Sequence, residues 1–267
     1  MPWLLRLFVV SAAVYLLLCA SLFLVQRRIT FPAAPGEDDP FYPPFRLIEL
    51  DDDEGGPMAA MYAPAPEASA RTVVIFHGNA DRLSHLGPFA MGLHSKGLGV
   101  LAVEYPGYGR LHKGSPSEAA LYASAAASLR WLRSQGVAPE ATVLLGQSLG
   151  AGVAVEMATH GFGSRVVLIS PFTSVADMAR ERFPFVPVSL LIRDHFDNLE
   201  KAPRVSQAVL LLHGTEDRIV PFTQGQRLAE ALPQVHFEAL EGLHHNDLPL
   251  ADDSTIMNQI ASFAKDG

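Results

Sequence analysis

The hydrophobic positions of this chain fall into short apolar runs that alternate with longer segments of helical periodicity. Runs such as residues 166–169 and 209–212 are apolar at every position, which is typical of strands buried on both faces of a sheet. Strict alternation of strands and helices predicts a mostly parallel sheet with helices on both faces. The predicted strands of this part are residues 73–76, 98–104, 142–147, 165–170, 207–213 and 235–240. The predicted helices are residues 83–94, 117–134, 149–160, 223–232 and 254–265, with a looser, proline-interrupted helical region from 171 to 201.

Two more strand-like runs, residues 46–50 and 58–63, precede this alternation. Acidic residues, glycines and a proline fill the interval between them, residues 51–57, and turn-forming residues in that position predict a hairpin. The fold prediction is therefore an α/β domain built on an eight-stranded, mostly parallel sheet.

The longest apolar run, residues 7–25, carries no charged side chain. As a helix it would extend roughly 28 Å, which is about the thickness of the hydrocarbon core of a bilayer. Trp3 and Arg6 flank one end and residues 26–28 the other, in the manner of interfacial anchors. We therefore predict a membrane protein with a transmembrane anchor at residues 1–28, a linker at 29–44 and the α/β domain at 45–267.

A cleaved signal peptide is the alternative interpretation of the same run. The run is long for the hydrophobic core of a signal peptide, and no clear small-x-small cleavage site follows it. The charges of Arg6 and the amino terminus nearly balance those of Arg27 and Arg28, so the positive-inside rule predicts neither orientation.

Composition excludes several classes of function. The formal net charge is −8 and basic residues do not cluster beyond Arg27 and Arg28, so we expect no nucleic-acid partner. Cys19 is the single cysteine, which excludes an internal disulfide and a cysteine-based metal site. Histidine and acidic residues show no clear metal-ligand spacing, and no phosphate-binding glycine-rich loop is present. We therefore expect neither a metal nor a cofactor.

The candidate chemistry centres on Ser148, which lies in a Gly-x-Ser-x-Gly pattern between a predicted strand and a predicted helix. The turn from strand to helix must be tight, and glycines at 146 and 150 allow close backbone approach. The hydroxyl would then stand at the carboxyl end of the sheet and at a helix N-terminus, where negative charge is favoured. This context favours a nucleophilic serine over a chance match of common residues.

A serine nucleophile needs a base within hydrogen-bond reach, and the base needs an acid that fixes its tautomer. Asp217 follows the predicted strand 207–213, and His245 follows the strand 235–240, in the order Ser, Asp, His. Both strands end at the edge where Ser148 is expected. Glu216 and His244 are the nearest alternatives for the acid and the base.

A tetrahedral intermediate also needs hydrogen-bond donors for its oxygen. We predict the backbone N–H of Leu149, directly after the serine, and the N–H of Asn79 or Ala80, which follow the first parallel strand. His77 and His213 each precede a glycine at a strand end, and we interpret both as structural residues that bond nearby backbone.

Five motifs occur at residues 77–79, 105–109, 146–150, 213–221 and 245–247. Through these motifs the chain resembles the α/β-hydrolase superfamily over roughly residues 45 to 265. It looks most like a branch of small, lidless, membrane-anchored serine hydrolases, some eukaryotic members of which remove palmitate from cysteines of membrane proteins. Those relatives reach the membrane through an acylated, cysteine-rich N-terminus, whereas this chain has one hydrophobic segment. In the branch the catalytic histidine lies in a Gly-x-x-His-Asn-Asp run, which supports His245 over His244.

The resemblance and the residues together predict a membrane-anchored serine hydrolase. It would cleave a carboxylic ester or thioester with an apolar acyl group through a Ser148–His245–Asp217 triad and an acyl-enzyme. The substrate would be a small-molecule or lipid-like acyl compound, or an acylated protein. A short, apolar cap between residues 174 and 203 would suit such a group. The alternatives are an amidase or peptidase on the same fold and a non-catalytic scaffold.

Overall fold

The computed structural model describes residues 2–32, 43–52, 56–112, 114–247 and 254–266. Eight strands form one sheet, in which the two N-terminal strands pair antiparallel and all later neighbours pair in parallel. The strands are β1 Arg46–Asp52, β2 Gly56–Ala63, β3 Thr72–Phe76, β4 Gly99–Glu104, β5 Thr142–Gln147, β6 Arg165–Ile169, β7 Ala208–Gly214 and β8 Val235–Leu240. Their order across the sheet is β1-β2-β4-β3-β5-β6-β7-β8, so the mostly parallel eight-stranded sheet is confirmed.

Helices cover both faces of this sheet. On β3, Val74 and Phe76 join the layer under one group of helices, while Val73 and Ile75 join the layer under the other, as the period-two alternation of a strand requires. Because both layers are buried, the strands carry apolar residues at successive positions. The helices are α1 Trp3–Thr30, α2 Leu83–Ser95, α3 Glu118–Ser134, α4 Leu149–Thr159, α5 Val175–Arg182, α6 Val188–Leu191, α7 Asn198–Lys201, α8 Phe222–Ala231 and α9 Ser254–Lys265. Helices α3, α4 and α8 pack on one face, and α2 and α9 on the other.

The predicted elements coincide with the observed ones to within a few residues. The predicted hairpin is β1 and β2, whose pairing joins Arg46 to Tyr62 and continues to Gly56, although residues 53–55 of its turn lie outside the described residues. The looser region 171–201 contains three short helices, α5 to α7, because prolines at 184 and 187 interrupt it.

Among the helices that the structure describes, α1 alone is long and apolar enough to cross a membrane, a test that an N-terminal signal sequence also passes. It ends at Thr30, two residues beyond the predicted anchor boundary, and Phe31 is already buried against the ring of Phe196. Residues 33–42, most of the predicted linker, lie outside the described part of the chain.

Candidate active site

Ser148 occupies a strained backbone position between β5 and α4. Its φ of 50° and ψ of −116° are rarely adopted by a residue with a side chain, and such strain costs on the order of 1–3 kcal/mol. The surrounding backbone holds it there, because Ser148 N–H donates to the carbonyl oxygen of Ile169 at 2.9 Å. A Cβ at Gly150 would overlap the carbonyl oxygen of Phe76, and one at Gly146 would overlap that of Gly150. Only glycines fit these two positions, so the turn presents the serine side chain at the carboxyl edge of the sheet.

Asp217 and His245 meet at the same edge. Asp217 follows β7, and its Oδ1 accepts hydrogen bonds from the backbone N–H groups of Ile219 and Val220, each at 2.9 Å. Its Oδ2 accepts from His245 Nδ1 at 2.6 Å. Both side chains are buried. The histidine is therefore held by one nitrogen, and Nε2 is the nitrogen left to accept a proton.

Asp217 is strongly biased toward its ionised form. Burial alone would raise the pKa of the carboxyl group, but hydrogen bonds from His213 and His245 outweigh burial and hold the pKa well below its ordinary value. His213 Nε2 lies 3.4 Å from Asp217 Oδ2 and donates to the carbonyl oxygen of Val220 at 3.0 Å. A buried carboxylate that stays charged can orient an imidazole and stabilise its protonated form.

The predicted triad is joined directly at its acid–base pair. Within the described residues, no hydrogen bond links the hydroxyl of Ser148 to His245. Bonds of this kind are commonly long before substrate binds and tighten in the complex. The structure therefore places Asp217 and His245 in contact and Ser148 at the same edge of the sheet.

The alternative acid and base occupy other positions. His244 is exposed, its Nδ1 bonds the carbonyl oxygen of Glu216 at 2.8 Å, and its backbone N–H donates to Asp247 Oδ2 at 2.8 Å. Glu216 is also exposed. The geometry thus favours His245 and Asp217 over their sequence neighbours.

The N–H groups near Ser148 differ in availability. Ala80 N–H donates to the carbonyl oxygen of Pro32 at 3.0 Å, so this arrangement removes Ala80 from the predicted oxyanion donors. No backbone acceptor takes the N–H of Asn79 or of Leu149 in the part of the chain that the structure describes. Both residues line the same cavity as Ser148. They remain the two candidates for an oxyanion hole.

His77 lies directly behind this loop in a buried ion pair. Its Nδ1 bonds the carbonyl oxygen of Gly78 at 2.8 Å, and its Nε2 lies 3.1 Å from Glu104 Oε1, with neither side chain accessible to solvent. Burial would lower the pKa of His77, but the bond and the charge of Glu104 outweigh it, and the pKa is raised. Sequence reasoning missed Glu104, which ends a strand 27 residues later, because spacing alone did not pair the two.

Ser148 lines a cavity of about 540 Å³. Most of its wall is apolar and comes from α1 and from residues 175–192. These residues lie within the predicted cap region between 174 and 203, and we call them the cap from here on. Arg182 is the one charged residue among the described residues that line it. Across the described residues, no three or more histidine, cysteine or acidic side chains form a group that could hold a metal ion. The site thus combines a serine with an apolar, largely uncharged pocket.

Comparison with known proteins adds a family context. Residues 67–196 match the family model described as serine aminopeptidase, S33. The chain is 35% identical over 244 residues to an uncharacterized protein of Mycobacterium tuberculosis, covering 89% of this chain and 86% of that one. It is 33% identical over 200 residues to alpha/beta hydrolase domain-containing protein 17B of Homo sapiens, covering 74% of this chain and 68% of the human protein.

Two solved structures share the architecture. The Pyrococcus furiosus esterase Pf2001 superposes with a TM-score of 0.69 at 16% identity, covering 86% of this chain and 96% of that chain. A Mycobacterium tuberculosis puromycin-hydrolyzing peptidase superposes with a TM-score of 0.65 at 21% identity, covering 82% of this chain and 38% of that chain. At these identities the likenesses establish the fold alone, and they confirm the fold that the motifs implied.

Proposed function

Because this chain belongs to the α/β-hydrolase superfamily, we propose that it is a membrane-anchored serine hydrolase that cleaves a carboxylic ester or thioester with an apolar acyl group. The observation that carries the proposal is the strained Ser148 in an apolar cavity, at the sheet edge where Asp217 holds His245. The family relationships support hydrolase activity, and the nature of the cavity supports the acyl specificity.

The reaction would proceed in two halves. Ser148 Oγ attacks the carbonyl carbon of the substrate while His245 Nε2 takes the hydroxyl proton, and the backbone N–H groups of Leu149 and Asn79 bind the oxyanion. His245 then protonates the departing alcohol or thiol, which leaves an acyl group on the serine. Water, deprotonated by the same nitrogen, attacks the acyl-enzyme, and the carboxylic acid is released with Ser148 regenerated.

The composition of the cavity favours an acyl group over a peptide N-terminus. An aminopeptidase must bind a free α-ammonium group, for which a carboxylate is the natural partner. No acidic residue occurs among the described residues that line the cavity, and its charged residue, Arg182, has the wrong sign. A long hydrocarbon chain needs only the apolar wall.

A matched substrate series tests this function. We expect the purified full-length protein to hydrolyse p-nitrophenyl esters and thioesters of a medium-chain fatty acid, and to cleave the p-nitroanilide of the same acid about 100-fold more slowly. Ser148→Ala should lose nearly all turnover, because removal of the nucleophile costs on the order of 10⁶ in kcat in a comparable triad. Preference for the anilide would instead establish an amidase, and the absence of turnover and of fluorophosphonate labelling would establish a scaffold.

The proposed organisation is a single-pass anchor at residues 1–28, a linker at 29–44 and a catalytic domain at 45–267. The length and apolar composition of α1 support it. We expect the full-length protein to remain in the membrane pellet after carbonate extraction and to keep its N-terminal residues in intact-mass measurement. Release into the supernatant as a shortened chain would establish a cleaved signal peptide instead.

A further inference from the structure

Helix α1 is bonded to the cap along one face. Tyr15 Oη donates to the carbonyl oxygen of Phe185 at 2.9 Å, and Gln26 Nε2 donates to that of Leu191 at 3.0 Å. Gln26 Oε1 also accepts from the backbone N–H of Arg193 at 2.8 Å. Cys19, which lies between these positions at helical spacing, is buried. One face of the helix is thus bonded to the domain, while most of its apolar side chains remain exposed.

An ion pair between the partly exposed Arg27 and the buried Asp194 fixes the end of this helix. Arg27 Nε lies 2.9 Å from Asp194 Oδ2, and its Nη2 lies 3.3 Å from Oδ1, so the guanidinium engages both oxygens. Asp194 Oδ1 also accepts from the backbone N–H of Glu118, the first residue of α3, at 2.9 Å. The carbonyl oxygen of Thr30 accepts from Asn79 Nδ2 at 2.7 Å, which connects α1 to the proposed oxyanion loop.

Helix α1 also forms one wall of the cavity that contains Ser148. Leu22, Phe23, Gln26 and Ile29 line the cavity from the helix. Their spacing of three and four residues places them on the face that meets the cap. The opposite wall comes from the cap, so the cavity lies between the anchor and the cap.

The cap beside the helix is unusually apolar at its surface. Residues 183–192 contain no charged side chain, and Arg182 and Arg193 flank them. Phe185 is 87% exposed and Leu190 is 83% exposed. Exposed apolar side chains between cationic residues, next to a membrane-crossing helix, match the requirements of a segment immersed in a leaflet.

The position of Tyr15 gives the depth of this segment. Tyr15 lies ten residues before the end of the apolar run at Val25, about 15 Å along the helix axis, so its contact with Phe185 of the cap lies about halfway through the hydrocarbon core. Backbone groups placed in hydrocarbon need internal partners. The carbonyl groups of Phe185 and Leu191 receive theirs from Tyr15 and Gln26 of α1.

We propose that α1 is a wall of the acyl-binding site as well as the anchor, and that a hydrocarbon chain enters the cavity from the bilayer between α1 and the cap. This inference rests on the proposed function and narrows its substrate class. The substrate is an ester or thioester whose acyl chain already resides in the membrane, rather than a water-soluble ester.

Two tryptophan substitutions on α1 test the wall. Leu22→Trp fills the cavity, whereas Leu24→Trp adds the same side chain on a position that is 79% exposed and outside the cavity lining. With full-length protein in lipid nanodiscs, we expect Leu22→Trp to lower the ratio of kcat/KM for the palmitate ester over the butyrate ester about tenfold. Leu24→Trp should keep the wild-type ratio, and fluorophosphonate labelling of both variants checks that they fold.

The outcomes separate the two proposals. Equal ratios in the wild type and both variants would establish that α1 is only an anchor, and would overturn the inference while leaving the hydrolase intact. If the wild type hydrolyses no ester and takes no fluorophosphonate, the proposed function fails first.

The depth of the cap is tested separately by a fluorophore. Phe185→Cys and Ser134→Cys, each in a Cys19→Ala background and labelled with a nitrobenzoxadiazole group, compare the cap with the exposed far end of α3. We expect lipids brominated on their acyl chains to quench the label at 185 and aqueous iodide to quench the label at 134. Iodide quenching of both labels to the same degree would place the cap outside the bilayer and overturn entry from the lipid.

Discussion

Replacing Asp217 by asparagine changes one atom of the side chain, and the surrounding hydrogen bonds dictate how the new amide must lie. Asp217 Oδ1 accepts two backbone N–H groups, from Ile219 and Val220. An amide NH₂ at that position would face two donors, so the amide oxygen must occupy the Oδ1 position. The NH₂ group then occupies the Oδ2 position, 2.6 Å from His245 Nδ1. His245 must accept there, which moves its proton to Nε2.

The wrong tautomer removes the base. With a proton on Nε2, His245 cannot take the proton of Ser148. In a comparable triad the same substitution lowers kcat on the order of 10⁴, and we expect that loss here. At about 1.4 kcal/mol for each factor of ten, this is about 5 kcal/mol of transition-state stabilisation.

The assay is kcat/KM for a medium-chain p-nitrophenyl ester, measured for the wild type, Asp217→Asn and the control Asp247→Asn. Asp247 lies in the same loop as His245 and bonds the backbone of His244 rather than the imidazole of residue 245. The control should retain activity within a few-fold of the wild type. If Asp217→Asn also stays within about tenfold, the tautomer argument is refuted.

Three stability predictions accompany this one. The pKa of Asp217 is lowered in the folded protein, so its charge stabilises the fold above the pKa of an unfolded aspartate. The melting temperature of the wild type should exceed that of Asp217→Asn by its full margin above about pH 4, and the margin should shrink as the pH falls further. A margin that grows in acid would contradict this. Gly150→Ala should lower the free energy of unfolding by about 3 kcal/mol, because the added Cβ overlaps the carbonyl oxygen of Phe76. Gly87→Ala, which has open space around it in α2, should raise the free energy of unfolding by up to about 1 kcal/mol. Equal denaturation midpoints for the two variants would contradict this. In denaturant unfolding, Glu104→Ala should lower the free energy of unfolding by about 3–5 kcal/mol, because it leaves His77 without its partner. Glu104→Gln should lower it less than half as much, because a hydrogen-bond acceptor for His77 remains.

The hydrophobic pattern predicted the fold well because a strand that is buried on both faces is apolar at successive positions. Strands such as β6 and β7 are apolar at nearly every position, and the described turns between elements are rich in glycine and proline. The strand order was less accessible, since the crossover that places β4 outside β3 depends on tertiary packing.

The site could be predicted only as far as local motifs reach. The turn at Ser148 is local, and its context was sufficient to identify it. Residue types and spacing left His244 and His245 both open, and the family resemblance favoured His245. The contacts agree with that choice, because only His245 bonds Asp217. The bond from Ala80 to Pro32 joins distant segments, and no sequence spacing indicated it.

The prediction for helix α1 shows the same limit. Its hydrophobicity predicted a span, and the structure describes a helix suited to one. Gln26 bonds Leu191 of the cap and Arg27 bonds Asp194 just beyond it, whereas the sequence pattern indicated an interfacial flank at both residues. Hydropathy measures the affinity of a segment for lipid, but it does not indicate which face of the helix contacts the rest of the protein.

The most direct test of the central claim is covalent labelling of the full-length protein with a fluorophosphonate, followed by peptide mass mapping. We expect one adduct, on Ser148 Oγ, which is absent in Ser148→Ala and forms much more slowly in Asp217→Asn. Labelling of Ser148→Ala at the wild-type rate, or an adduct mapped to another residue, would contradict it.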